Sequence, residues 1–146
     1  MASRFFTEGP VPTTTLNLWL HEFRSDLETG GTSTFLGRVR ADQISSDGDT
    51  VTSIAYTAHE AMAETALASI QQRFLEEEGV HDIRIAHALG TVPAGEAAMI
   101  VAVNAEHRRQ AFRTVELVVD AVKEEVPIYG KELTRGDSYR WKENSR

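Results

Sequence analysis

The residues best suited to chemistry lie in the last third of the chain, and they are basic. Lys123 closes one predicted helix, Glu106-His107-Arg108-Arg109 opens it, and Lys131 follows soon after Pro127. In a chain whose formal net charge is -7, basic groups at both ends of one helix suggest a site that handles anions. Lys123 lies eleven residues after Phe112. That is about three turns at 3.6 residues per turn, so the lysine runs along the apolar face rather than away from it. Partial desolvation there would lower its pKa and strengthen its pull on an anion. The competing reading is a lysine that complements the helix dipole and snorkels to water.

The segment 106–109 sits where a strand runs into a helix. Free backbone N–H groups at such a junction favour anions, and arginine grips phosphate through paired hydrogen bonds. A solvated first turn with one salt bridge is the alternative, although arginine there opposes the helix dipole. Arg38 and Arg40 alternate on one predicted strand face beside a loop at 43–49, and read either as part of the basic site or as a solvated face. His21, His59, His81 and His87 show no metal-ligand spacing and read as structural or surface residues. The chain has no cysteine, which excludes disulfides, thiolate metal sites and a cysteine nucleophile or sulfur carrier. Glycine-rich nucleotide loops and the common hydrolase motifs are also missing, so neither cofactor nor metal is expected.

These groups need a scaffold. A length of 146 residues suits a single domain with a proper core, with 1–3 and 143–146 as flexible tails. The acidic balance disfavours nonspecific nucleic-acid binding. There is no apolar run long enough for a membrane span and no signal-peptide core near the start, so the expected location is the cytoplasm.

Along the chain, Arg4 to Glu8 reads as a short strand closed by Pro10 and Pro12. A helix capped at Thr13, Thr14 or Thr15 carries Leu16, Trp19 and Phe23 and ends before Gly30-Gly31. Thr32 to Arg40 is a strand, Ser45-Ser46-Asp47-Gly48-Asp49 a hairpin loop or flap, and Val51 to Thr57 the return strand. Glu60 to Glu78 is a helix with Met62, Ala66, Ile70 and Phe74 in its stripe and Gly79 as its cap. Strands follow at 80–89 and 97–103 around a turn at 90–96, then a helix at 106–124 with Phe112, Val115, Val119 and Val122 inward. Pro127 ends that helix, and two short strands at 127–133 and 138–142 flank Arg135-Gly136-Asp137. This order implies an α+β fold, a mainly antiparallel sheet with helices packed on one face.

Several segments carry a resemblance. They are Phe35-Leu36-Gly37-Arg38-Val39-Arg40, Ala58-His59-Glu60-Ala61-Met62-Ala63, and His87-Ala88-Leu89-Gly90 with Pro93-Ala94-Gly95-Glu96. Val101-Ala102-Val103, Ala105-Glu106-His107-Arg108 and Ala111-Phe112 follow, then Asp120-Ala121-Val122-Lys123, Val126-Pro127-Ile128-Tyr129, Lys131-Glu132 and Trp141. In this order, over residues 4 to 142, they resemble the large, catalytic subunit of molybdopterin synthase.

The resemblance implies an α/β-hammerhead-like domain and a sulfurtransferase. A small ubiquitin-like sulfur-carrier subunit ends in a Gly-Gly thiocarboxylate, its tail enters a pocket of the large subunit, and two sulfurs pass to cyclic pyranopterin monophosphate to form the molybdopterin dithiolene. The assembly implied is a heterotetramer built around a homodimer of large subunits. Lys123 matches the family's catalytic lysine. Arg40, His107 and Arg108 match its anion-pocket residues, the last two reaching across the dimer, and Phe35 lines the pocket. The family's second lysine falls at Gly130 here, with Lys131 one residue later. Neighbouring strand residues face opposite ways, so Lys131 either points away or turns in because Gly130 loosens the backbone. Gly130 also leaves open a non-catalytic paralogue that docks the carrier without turnover. A small-anion or nucleotide-phosphate binding domain is a third possibility.

Overall fold

The computed structural model describes residues 3–44, 48–136 and 139–142. The elements run β1 (Phe6–Glu8), α1 (Thr13–Phe23), β2 (Gly31–Arg38), β3 (Val51–Ala58), α2 (Glu60–Leu75), β4 (Val80–Pro93), β5 (Ala97–Ala105), α3 (Arg108–Glu125), β6 (Ile128–Thr134) and β7 (Tyr139–Trp141). Their order and types are those read from the sequence. The expected loop residues 45–47, the turn residue Asp137, the strand residue Ser138 and the tails 1–2 and 143–146 lie outside the described residues. Ser3, expected in a loose tail, accepts hydrogen bonds from the backbone of Phe5 and Phe6 and donates one to Glu64.

The sheet is ordered β2-β5-β4-β3-β6-β7, with β1 added in parallel beside β4 and the other pairings antiparallel. β3 is therefore not the return strand of β2. The two are separated by β5 and β4, and hairpin character between them is confined to the bridge from Gln43 to Thr50. β4 is longer than expected and joins two halves of the sheet. Its Val80–His87 stretch pairs with β5 and its Gly90–Pro93 stretch with β3. Gly90, at φ +80°, sits at the changeover, in a conformation that disfavours any side chain.

All nine residues of β5 are buried, which requires cover on both faces. Met99, Val101 and Val103 join Ile83, Ile85, Leu67, Ile70, Val118 and Val122 in one core, so α2 and α3 share a face as expected. The alternate residues Ala98 and Ile100 join Ala86, Ala88 and Val92 in a second core, which is where Leu16 and Trp19 of α1 pack. α1 therefore lies on the opposite face.

Two expected core residues are outside. Phe112 is 63% exposed and Met62 64%. The buried line of α3 runs through Ala111, Val115, Val118 and Val122, and its 112/119 edge is covered only in the second half, at Val119. Arg73 of α2 grips Glu125 of α3 through two hydrogen bonds, at 2.7 and 3.1 Å, tying the two helices together near their C-terminal ends. Among the described residues, no helix is long and apolar enough to cross a membrane.

Candidate active site

The C-terminal turn of α3, the end of β2, the middle of β4 and the start of β6 converge on an open cavity of about 760 Å³. Lys123 lines it from α3, flanked by the buried Val122 and Val126. Desolvation is the main cause that lowers the Lys123 pKa, and the charge of Lys142 adds to it, while Asp120 acts the other way. A lysine so placed holds its proton less firmly and is poorly solvated, so an incoming anion gains more from it than from a surface lysine.

His87 forms the cavity's inner wall at 7% exposure. Its Nδ1 lies 2.7 Å from the carbonyl oxygen of Ala88. A carbonyl only accepts, so Nδ1 carries the proton and Nε2 keeps its lone pair. Tyr56 meets the imidazole edge-on, with ring centroids 5.1 Å apart, and Phe6 does so at 6.4 Å. Burial outweighs the hydrogen bond to Ala88 and, with the Lys123 charge, brings the His87 pKa down to about 4. The ring is thus neutral at physiological pH. Tyr56 also lines the cavity, and burial, helped by the Glu132 carboxylate, pushes its pKa up to about 12. Its hydroxyl stays protonated.

Phe35 and Arg38 line the cavity from β2. The Phe35 ring packs so closely on Gly37 that a Cβ there would stand 3.1 Å from it. Arg38 donates to the carbonyl of Gly95 at 2.9 Å. Arg40, expected on the same strand face, lies past the end of β2. A register shift at Gly37/Arg38 breaks the alternation, and Arg40 pairs with Asp42 at 2.7 Å with its side chain 80% exposed.

His107 and Arg108 stand at the N-terminal end of α3. Arg108 is fifteen residues before Lys123, about 22 Å along the axis at 1.5 Å per residue. A single chain does not bring them to its own cavity. Their position is nonetheless fixed. The His107 N–H donates to Gln110 Oε1 at 3.0 Å, and Gln110 Nε2 donates to the Glu78 carbonyl at 3.1 Å. The preceding Glu106 lies 3.6 Å from His81 Nε2, and the other nitrogen of that ring is 2.9 Å from Asp26. The hydrogen bond to Asp26 is the first cause that raises the His81 pKa.

Lys131 does not join Lys123. Its ammonium sits over the Tyr139 ring, 4.0 Å from the centroid, and it is not among the cavity-lining residues, whereas Gly130 is. Gly130 therefore does not turn Lys131 inward. The other lysine that lines the cavity with Lys123 is Lys142, whose backbone N–H donates to the Gly130 carbonyl at 2.8 Å. β7 is fixed beside β6 by Arg140, which donates to the buried Glu132 at 3.1 and 3.3 Å. Sequence reasoning missed Lys142 and Tyr56 and read His87 as merely structural. The signal for Lys142 was the turn at 135–137, from which the opposition of 130 and 142 can be counted. Tyr56 and His87 gave no signal, because only the stagger of β3 on β4 brings them together. Among the described residues, no cluster of three or more His, Asp or Glu is placed to hold a metal.

The sequence pattern of the MoaE protein family matches residues 12–125. The molybdopterin synthase catalytic subunit of Oryza sativa subsp. indica is 41% identical over 119 residues, covering 82% of this chain. The chain spans 60% of the length of that rice protein. The Dictyostelium discoideum molybdopterin synthase catalytic subunit is 33% identical over 145 residues, which is 97% of this chain and 89% of that protein. Among solved structures, molybdopterin synthase from Staphylococcus aureus superposes with a TM-score of 0.82 at 28% identity, covering 99% of this chain and 100% of that one.

Proposed function

Because this chain belongs to the MoaE protein family, we propose that it is the catalytic subunit of a molybdopterin synthase. It transfers sulfur from the thiocarboxylated Gly-Gly terminus of a small carrier subunit to cyclic pyranopterin monophosphate, forming the dithiolene. It works in the cytoplasm as a homodimer of large subunits within a heterotetramer. The observation that carries this reading is the half-buried Lys123, facing an open cavity whose inner wall is a neutral imidazole.

In each transfer the thiocarboxylate sulfur bonds to a pterin side-chain carbon in place of an oxygen substituent, giving a thioester. Water then adds to the glycine carbonyl carbon, the carbon–sulfur bond breaks, and the carrier leaves as a carboxylate with its sulfur on the pterin. Negative charge is present on the thiocarboxylate at the start and builds on its oxygen when water attacks. Lys123 is assigned to that charge, in a setting where desolvation magnifies its effect. Phe35 walls the channel for the tail. Arg40 is assigned to the substrate phosphate. Its exposed pair with Asp42 is weak enough for a phosphate to displace. His107 and Arg108 are assigned to the same phosphate in the neighbouring subunit's cavity, because their own lies at the far end of α3. Lys131, held over Tyr139, is left without a catalytic role.

Single-turnover conversion of the pterin with thiocarboxylated carrier tests the reading. In Lys123→Ala, the transfer rate should fall about 100-fold or more while carrier affinity stays unchanged. A loss of docking as large as the loss of rate would remove Lys123 from the chemistry. The second reading, a docking paralogue, draws on the bare Gly130 and the averted Lys131. Tight carrier binding by the unaltered chain without any conversion would favour it.

A further inference from the structure

We propose that Lys142 is the second lysine of the cavity and acts, with Lys123, on the thiocarboxylate terminus of the carrier. β6 and β7 pair with Lys131 opposite Trp141, which sets Gly130 opposite Lys142, and the 2.8 Å bond from the Lys142 N–H to the Gly130 carbonyl fixes that opposition. Directly opposed residues share a face of the sheet, and their neighbours take the other. Lys131 and Tyr139 accordingly stack together on one face. Gly130 and Lys142 belong to the other face, and both line the cavity with Lys123, while Trp141, opposite Lys131, borders it as well.

A side chain at Gly130 would crowd its neighbours. A Cβ at that position would stand 3.0 Å from Ile54 Cγ2 and 3.2 Å from Tyr56 Cε1. Lys142, on the adjacent strand about 4.8 Å away, can deliver a charge to this part of the cavity without displacing Ile54 or Tyr56. Its charge also reaches Lys123, whose pKa it helps to lower. Two ammonium groups that repel one another across a cavity both attract an anion placed between them. Arg140 supports the arrangement by binding Glu132 and holding β7 in register.

This assignment rests on the sulfur-transfer reading, and its test separates the two. Lys142→Ala, Lys142→Arg and Lys131→Ala are compared in single-turnover conversion, with calorimetry for the carrier and for the pterin. Lys123 is also titrated by its amine-labelling rate against pH. Lys142→Ala should slow transfer by about 10- to 100-fold, keep carrier affinity within about threefold, and move the Lys123 labelling midpoint to higher pH. Lys142→Arg should retain most of the rate, and Lys131→Ala should lose less than Lys142→Ala.

A Lys142→Ala rate within about twofold of the parent's overturns the proposal. A weakened pterin affinity at unchanged rate also overturns it, and reassigns Lys142 to the phosphate. If the unaltered chain converts no pterin, the sulfur-transfer reading falls by itself. The labelling midpoint then still decides the placement of Lys142: an upward move supports it and an unchanged midpoint overturns it.

Discussion

Tyr56 lies across Gly130. The two residues are opposed in the β3–β6 register, and a Cβ on the glycine would come within 3.2 Å of the tyrosine ring. The missing side chain on β6 and the aromatic ring on β3 are therefore one packing unit. Gly130→Lys should destabilise the fold by about 1–3 kcal/mol through overpacking. Combining it with Tyr56→Ala should cost less than the sum of the two single changes. Urea midpoints of the four proteins check this. Additive losses would mean that the ring does not press on position 130.

The buried His87 makes stability depend on pH. Its pKa of about 4 in the folded chain lies below the ordinary histidine value of 6.5. Below pH 6.5 the unfolded chain binds a proton that the folded one does not, so stability should fall between about pH 6.5 and pH 4 and level off beneath. The full loss is about 3 kcal/mol. His87→Gln should flatten that part of the stability–pH curve, measured by chemical unfolding at each pH. An equally steep curve in the variant would place the titrating group elsewhere.

The distance between the two ends of α3 predicts complementation between subunits. Arg108→Ala and Lys123→Ala homodimers should each be slow. Mixed in equal amounts and allowed to exchange, half of the dimers carry one intact cavity, so activity should recover to about a quarter of the unaltered level. Mixtures no more active than their components would show that Arg108 serves no neighbouring cavity. Arg108→Ala alone should also weaken pterin binding and reduce its sensitivity to salt.

The sequence was legible wherever a signal was local. Helical periodicity at 60–75 and 108–125, the glycines at 79, 90 and 95, and Pro127 were enough to order ten elements correctly. Long-range pairing carried no such signal. A loop rich in Ser, Asp and Gly suggested that β2 turns back onto β3, and nothing local revealed that β4 and β5 would be inserted between them. Phe112 fitted the apolar stripe by spacing alone, but α3 lacks cover on that edge at its first turn. The site divided in the same way. Lys123 could be placed from its helix. Arg40 could not, because one bulge at Gly37/Arg38 undoes strand alternation. Lys142 is brought beside Lys123 only by the pairing of β7 with β6.

The placement of β2 beside β5 has a consequence for how the chain comes off the ribosome. Gly31 pairs with Ala105 and Gly37 with Met99, so the first long strand waits for a partner more than sixty residues downstream. At about 5–20 residues per second that interval is several seconds. Until β5 has emerged, β2 has no neighbour in the sheet, and β4 can pair only with β1 and β3. A nascent chain stalled before residue 99 would therefore present unpaired strand edges, the surfaces most prone to associate with other chains.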